Sequence, residues 1–135
     1  MKKSYFTVEE ISRSEMANKS NIKNIPNRLE LHNIETITIP QMNIIREFLG
    51  VPIIVNSGYR CKELNRKVGG VYNSKHLEGL AVDGIPKGLN LRECWNKLRD
   101  SKYASLLDQC ILYEKRGFIH FGFTVGIPRQ QFFEK

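Results

Sequence analysis

The sequence lacks long apolar runs and has little cysteine, and each shortage excludes a class of protein. No stretch approaches the roughly 18 apolar residues that a transmembrane helix needs, so we expect no membrane span. In the opening MKKSYFTVEEIS, two lysines are followed by no apolar core, so we predict no secretory signal and synthesis that ends in a cytosol. The cysteines Cys61, Cys94 and Cys110 are odd in number and show no CxxC spacing, which favours reduced thiols over a disulfide framework.

The chain also lacks internal repeats, low-complexity tracts and a linker of domain-separating length. One domain over residues 1–135 is therefore predicted. The net charge of +7 raises nucleic acid as a partner, because a basic face is the usual footprint of phosphate binding. The basic residues are dispersed, however, as KK, KNIPNR, YRCK and EKR. We expect a general attraction to anionic polymers, including cell-wall material, and no specific nucleic-acid partner; a nucleic-acid-binding domain stays an alternative that rests on charge alone.

Helical patterns dominate the first half of the chain. Thr7 with Glu10 three residues later forms a capping box, which predicts a short helix from TVEEIS. Apolar residues at spacings of three and four over residues 27–50 predict an amphipathic helix, which Pro40 must start or kink. Within it, ETITI alone is also compatible with a strand. Gly50 supplies the end of the helix.

Strand patterns dominate the second half. The segments PIIVNS, LAVDGI, QCILYE and FIHFGF are predicted strands, and CKELNRKVGG and LNLRECWNKLRDS are predicted helices, the latter with Asn90 as N-cap. KRG between the last two strands indicates a hairpin. This order of elements predicts the α+β class with a small, mostly antiparallel sheet, because helices come first, then strands with helices between them, and last a hairpin.

The last predicted strand separates a core face from a polar face. Side chains alternate along a strand, so Ile119, Phe121 and Phe123 share the apolar face and His120 lies on the other. Gly122 shares the His120 side and allows close approach to the backbone. His120 is therefore available for chemistry rather than for packing.

Two imidazoles and one carboxylate form a recognised ligand set for zinc. They leave a fourth position for water, whose pKa the metal lowers toward neutrality, so such a site is hydrolytic. His76 and Asp83 in NSKHLEGLAVDG, with His120, supply this set. The same three residue types also occur together by chance, and a lone histidine is more often a core or surface residue than a ligand. His32 has no evident partner and is expected at the surface.

The residues around these ligands carry a family resemblance. SKHLEGLAVD fits Ser-x-His-x-x-Gly-x-Ala-x-Asp, which resembles the signature of the zinc D-Ala-D-Ala carboxypeptidases and L-alanyl-D-glutamate peptidases of the hedgehog/DD-peptidase fold. VNSGYRCKELNRKVGG is similar to the segment that precedes the signature, and DQCILYE with FIHF is similar to the strands that follow it. The opening YFTVEEISRSEMA resembles compact, often phage-encoded members. The resemblance covers nearly the whole chain.

The resemblance implies a zinc peptidase that hydrolyses peptidoglycan stem peptides, as a D-Ala-D-Ala carboxypeptidase or an endolysin-like endopeptidase. Zn²⁺ would be held by His76, Asp83 and His120. Arg60 would face the cleft, where its guanidinium can hold a carboxylate or a carbonyl that gains charge, and Ser74 would hydrogen-bond the substrate. The alternatives are a surface ion pair for Arg60 and a turn cap for Ser74.

The resemblance also implies where the protein acts. As in phage lysis enzymes, it would be made in the host cytoplasm without a signal peptide and would reach the cell wall when the membrane is breached. The alternative is a non-catalytic module, such as a virion or tail component, that keeps the fold and binds wall peptides without cutting them. That module would be stabilised by zinc or metal-free, so chelator-sensitive cleavage distinguishes the two.

The general base is the least direct assignment. Several relatives carry an acid three positions before the last histidine ligand, where this chain has Gly117. Glu114 is the nearest carboxylate. With the three-residue loop KRG, Glu114 pairs with Phe118 and lies on the His120 face, about 7–8 Å away diagonally. A two-residue loop would turn it to the opposite face. The alternatives are an exposed carboxylate that pairs with the lysine or arginine after it, and a chain that has lost its base.

Overall fold

A five-stranded sheet forms the centre of the molecule, in the order β1-β2-β4-β3-β5. The computed structural model describes residues 3–135, so part of the basic start used in the signal prediction, Met1 and Lys2, lies outside the described residues. The strands are β1 (Ile53–Ser57), β2 (Ala81–Pro86), β3 (Gln109–Tyr113), β4 (Phe118–Gly122) and β5 (Gln131–Glu134). Neighbouring strands are antiparallel except β3 and β5. The predicted α+β class with a mostly antiparallel sheet is confirmed, and β5 is a strand that the sequence patterns did not predict.

Short helices surround the sheet. They are α1 (Val8–Ser12), α2 (Glu15–Lys19), α3 (Arg28–Asn33), α4 (Ile39–Leu49), α5 (Lys62–Lys67) and α6 (Leu91–Arg99), with 3₁₀ turns at Lys75–Glu78 and Lys102–Leu106. The side chains of Thr7 and Asn90 accept hydrogen bonds from the first-turn amides of α1 and α6, which confirms both predicted starts. Within residues 3–135, no helix combines the length and the apolar character needed to cross a membrane.

The segment from α3 to α4 is helical throughout, so the strand alternative for ETITI is wrong. Residues Ile34–Thr38 form a π-helical turn between the two α-helices. Pro40 lies in the first turn of α4 and has no N–H to donate, which favours a change of hydrogen-bond pattern at this point. Gly50 ends the helix in the left-handed conformation, with φ of 76°.

The helices α4 and α6 cover one face of the sheet and build the main core with it. Trp95 of α6 donates a hydrogen bond from its indole nitrogen to the carbonyl oxygen of Cys110 on β3. The fully buried side chains on β4 are those predicted to face the core, namely Ile119 and Phe121, with Phe123 immediately after the strand. The three cysteines are free thiols, of which Cys94 and Cys110 are buried. The opposite face of the sheet is left for the polar residues.

Candidate metal centre

Three predicted ligands converge on the sheet face opposite the main core. Asp83 on β2 and His120 on β4 lie directly opposite each other in the antiparallel ladder, which brings their side chains together. His76 reaches the same place from the 3₁₀ turn Lys75–Glu78, which precedes β2. Leu80 and Val82 lie in the core on the other face and anchor this segment, as the alternation along LAVDGI predicts.

The ligand atoms are close enough together to share one metal ion. His76 Nε2 lies 3.3 Å from Asp83 Oδ2, and His120 Nδ1 lies 2.8 Å from Asp83 Oδ1. The ligand atoms of the three residues all lie within 4.8 Å of one another. Zinc bonds of about 2.0–2.1 Å in a tetrahedral arrangement separate the ligands by about 3.3 Å, so this donor set fits a zinc ion.

The environment favours the protonation states that metal ligands need. Burial lowers the pKa of His76 more strongly than the neighbouring Asp83 carboxylate raises it, so its imidazole is neutral near pH 7. Burial alone would raise the pKa of Asp83, but the hydrogen bond with His120 and the proximity of both imidazoles outweigh it and hold the pKa well below the usual range. A neutral imidazole and an ionised carboxylate are the forms that bind a divalent cation.

The backbone of the SGYR segment orients His76. The Gly58 carbonyl oxygen lies 2.6 Å from His76 Nδ1. A carbonyl only accepts hydrogen bonds, so Nδ1 carries the proton and the lone pair of Nε2 faces Asp83. Gly58 has no room for a side chain, because an added Cβ would lie 2.1 Å from the carbonyl oxygen of Ile11. Sequence reasoning missed this partner, although the glycine of SGYR was a signal for it.

Arg60 lies beside the cluster and makes no ion pair within residues 3–135, so the alternative of a surface ion pair is wrong. Its Nε atom is buried and has no hydrogen-bond partner among those residues. Burial is the main effect that lowers the pKa of Arg60, with the Asp83 carboxylate opposing it. Such a guanidinium is available to an anionic group in the cleft.

Ser74 lies in the cleft wall close to His76. Its hydroxyl accepts a hydrogen bond from the His76 backbone N–H at 3.1 Å and caps the 3₁₀ turn. The turn-cap alternative therefore describes the contact that Ser74 makes. A substrate contact from the same hydroxyl stays a prediction.

Glu114 is not brought to the cluster. The ladder pairs Tyr113 with Phe118, so the loop contains four residues, 114–117, and the predicted three-residue loop is wrong. The Glu114 carboxylate accepts hydrogen bonds of 3.2 and 3.0 Å from Arg92, at the start of α6 on the core side of the sheet. The one-residue difference in loop length reverses the side of the sheet that Glu114 faces, away from His120. Its partner is Arg92 rather than either basic neighbour in the loop.

Arg116 is the loop residue that faces the site, and sequence reasoning gave it no role there. Its guanidinium lies 5.4 Å from the ring centre of Tyr113 and 5.0 Å from that of Phe118. These two rings are stacked at 4.7 Å. A cation over an aromatic pair is held in place without an acidic partner.

The predicted surface position of His32 is confirmed.

Comparison with known proteins identifies one family. The family described as Peptidase M15 matches residues 4–122, which include all three predicted ligands. No curated protein matches the chain.

Proposed function

Because the chain belongs to the peptidase M15 family, we propose that it is a zinc-dependent peptidase that hydrolyses a peptide bond in bacterial peptidoglycan stem peptides. The observation that carries this proposal is the convergence of His76, Asp83 and His120, whose ligand atoms lie within 4.8 Å of one another. The sequence resemblance to D-Ala-D-Ala carboxypeptidases and endolysin-like endopeptidases supports the choice of substrate.

The residues around the cluster have distinct parts in this reaction. His76, Asp83 and His120 would hold the zinc ion, which would supply a water of near-neutral pKa and polarise the carbonyl of the scissile bond. The Gly58 carbonyl orients the His76 imidazole, so that its Nε2 is presented as a ligand on the side of Asp83. Arg60 stabilises the carbonyl oxygen as charge develops on it, or holds a nearby carboxylate. Ser74 orders the turn that carries His76 and is the proposed hydrogen-bonding residue for the substrate.

A second candidate function is a non-catalytic module that binds wall peptides, for example in a virion. One observation favours it. Gly117 occupies the position where relatives carry an acid, and Glu114 contacts Arg92 on the other side of the sheet. A protein without a group to accept the proton of the attacking water would bind metal and peptide and turn over slowly.

The proposed place of action follows from the same family. The resemblance of YFTVEEISRSEMA to compact phage-encoded members supports synthesis in a host cytoplasm and action at the bacterial cell wall. The dispersed net charge of +7 supports attraction to anionic wall polymers.

The test is a measurement of zinc content by elemental analysis, with mass spectrometry of purified stem peptides incubated with the protein, with and without chelator. We expect one zinc per chain and cleavage that the chelator abolishes. His120→Ala should lower zinc affinity at least about 100-fold, because loss of a residue that merely orients a ligand already lowers it about 10–100-fold. His32→Ala, at an exposed histidine on α3, is the control and should bind zinc normally.

Three results would change the conclusion. Zinc without cleavage of any wall peptide would favour the binding module. Cleavage that withstands complete removal of zinc would exclude the metal mechanism. Stoichiometric zinc in His120→Ala would exclude the proposed ligand set.

A further inference from the structure

Two cavities meet at the metal cluster and form one continuous depression, which we call the site groove. Their volumes are about 550 and 570 Å³, each within the range that holds a small ligand. Asp83 lines both cavities. The residues that the two cavities share are Arg60, Val68, Asp83, Arg116 and Phe118. The cluster therefore lies in the middle section of the site groove.

The first half of the site groove runs from Asp83 along the end of β1 to α2. Its outer rim is formed by the exposed side chains of Arg13, Met16 and Lys19. Met16 is 41% exposed despite its apolar side chain. A peptide that passes Arg60 in this direction meets a solvent-open rim.

The second half runs past both histidine ligands and along β3. His76, His120 and Tyr113 line it, and its outer rim includes the exposed residues Val71 and Lys135. This end of the site groove is therefore solvent-open as well. An enzyme that removes one terminal residue needs a closed end beside the metal to receive the terminal carboxylate, whereas exposed residues rim both halves of the site groove within residues 3–135.

Unpaired cations follow the whole length of the site groove. Arg60 and Arg116 make no ion pair within residues 3–135 and flank Asp83 in the middle section. Arg13 and Lys135 add a positive charge at the rim of each half. The acids among the lining residues are Asp83 and the exposed Glu15, so cations outnumber acids along the site groove. Clefts in which one sign of charge predominates concentrate ligands of the opposite sign, so this distribution favours a peptide that carries carboxylates.

We propose that the site groove binds an acidic peptide on both sides of the metal cluster, and that the protein therefore cuts within a peptide as an endopeptidase. This inference rests on the proposed peptidase function and specifies its substrate. Arg60 and Arg116 bind peptide carboxylates next to the scissile bond, and Arg13 binds the part of the peptide that extends toward α2.

The substrate test compares a stem pentapeptide that ends in a free carboxylate with the same peptide ending in an amide. We expect cleavage at an internal bond of both, with kcat/KM values that agree within about threefold, because the terminal carboxylate is not what the middle section recognises. Release of the terminal residue alone, lost when the carboxylate is amidated, would overturn the inference and leave the peptidase function intact. No cleavage of either peptide would overturn both.

A matched pair of variants tests the extended binding site. Arg13→Ala removes a rim cation of the first half, and Arg28→Ala removes an exposed arginine outside the site groove. For the cleaved peptide we expect Arg13→Ala to raise KM about 3–10-fold at unchanged kcat, as loss of uniform binding does, and Arg28→Ala to leave KM unchanged. Equal KM values in both variants and the unmodified protein would show that the peptide does not extend toward α2 and would overturn the inference. Melting temperatures close to that of the unmodified protein would show that both variants are folded.

Discussion

Asp83 is the residue on which the candidate centre depends, because its carboxylate contacts both histidines of the cluster. The 2.8 and 3.3 Å contacts to His120 and His76 use different oxygens of the same group. The sequence pattern predicted all three residues and their meeting point. It could not predict the proton position on His76, because that depends on the Gly58 carbonyl, 18 residues away in the chain.

At the same scale, Glu114→Gln should leave zinc binding and hydrolysis nearly unchanged. The carboxylate contacts Arg92 on the core side of the sheet, so it is not positioned to accept a proton from water at the cluster. Loss of a true general base would lower kcat by about 10²-fold or more. The measurement is kcat for stem-peptide cleavage, with Glu134→Gln as control, since Glu134 contacts the same arginine. A fall of about 10²-fold in Glu114→Gln alone would mean that the hairpin rearranges in the substrate complex.

At the scale of elements, local signals predicted helices and strands well and loop lengths poorly. The starts of α1 and α6 follow from capping side chains, which act within one turn of the chain. The hairpin between β3 and β4 has a four-residue loop closed by a hydrogen bond from the Gly117 N–H to the Tyr113 carbonyl. Gly117 has φ of 85°, and a left-handed glycine suits both a three- and a four-residue loop, so the sequence did not discriminate between them.

Gly79→Ala should destabilise the protein more than Gly50→Ala. Both glycines have positive φ, which costs a residue with a side chain about 1–2 kcal/mol. A Cβ at position 79 would also lie 2.8 Å from Ile34 Cγ1, whereas nothing lies within 4 Å of one at position 50. Overpacking adds about 1–3 kcal/mol, so we expect a total of about 2–5 kcal/mol for Gly79→Ala. Denaturant unfolding of both variants measures the difference, and equal losses would show that the backbone relaxes around Ile34.

At the scale of the whole molecule, an ion pair between two segments that are distant in the chain holds the C-terminal strand in place. Asp108 precedes β3 and is only 4% exposed. Its carboxylate accepts hydrogen bonds from the Arg129 backbone N–H and from the guanidinium, at 2.8–3.0 Å. This contact positions β5 for its parallel pairing with β3. The four residues QFFE do not indicate by themselves that this segment pairs in parallel with β3.

Asp108→Asn should make the protein less stable near neutral pH and have little effect in acid. The hydrogen bonds from Arg129 lower the pKa of Asp108, although burial opposes them. A carboxyl whose folded-state pKa is depressed stabilises the fold above its unfolded value of about 3.9, and this contribution is lost as the pH falls through the folded-state pKa. We expect a melting temperature a few degrees below that of the unmodified protein at pH 7, with the gap closing below about pH 3.9.

Thermal unfolding from pH 3 to pH 8 makes this comparison. Glu47→Gln is a control, since Glu47 pairs at the surface with Tyr5 rather than with an arginine near the sheet. If the difference in melting temperature between Asp108→Asn and the unmodified protein did not change with pH, the carboxylate would stabilise the fold by its shape rather than by its charge.

The sequence by itself determined the three candidate ligands, the strands that carry Asp83 and His120, and the face that His120 takes, because alternation and capping are properties of neighbouring residues. Tertiary structure alone decided the orientation of His76 by Gly58, the pairing of Glu114 with Arg92 and the addition of β5. These outcomes depend on contacts between segments that lie far apart in the chain. Such contacts form only when the packed sheet brings the segments together, so no local pattern records them.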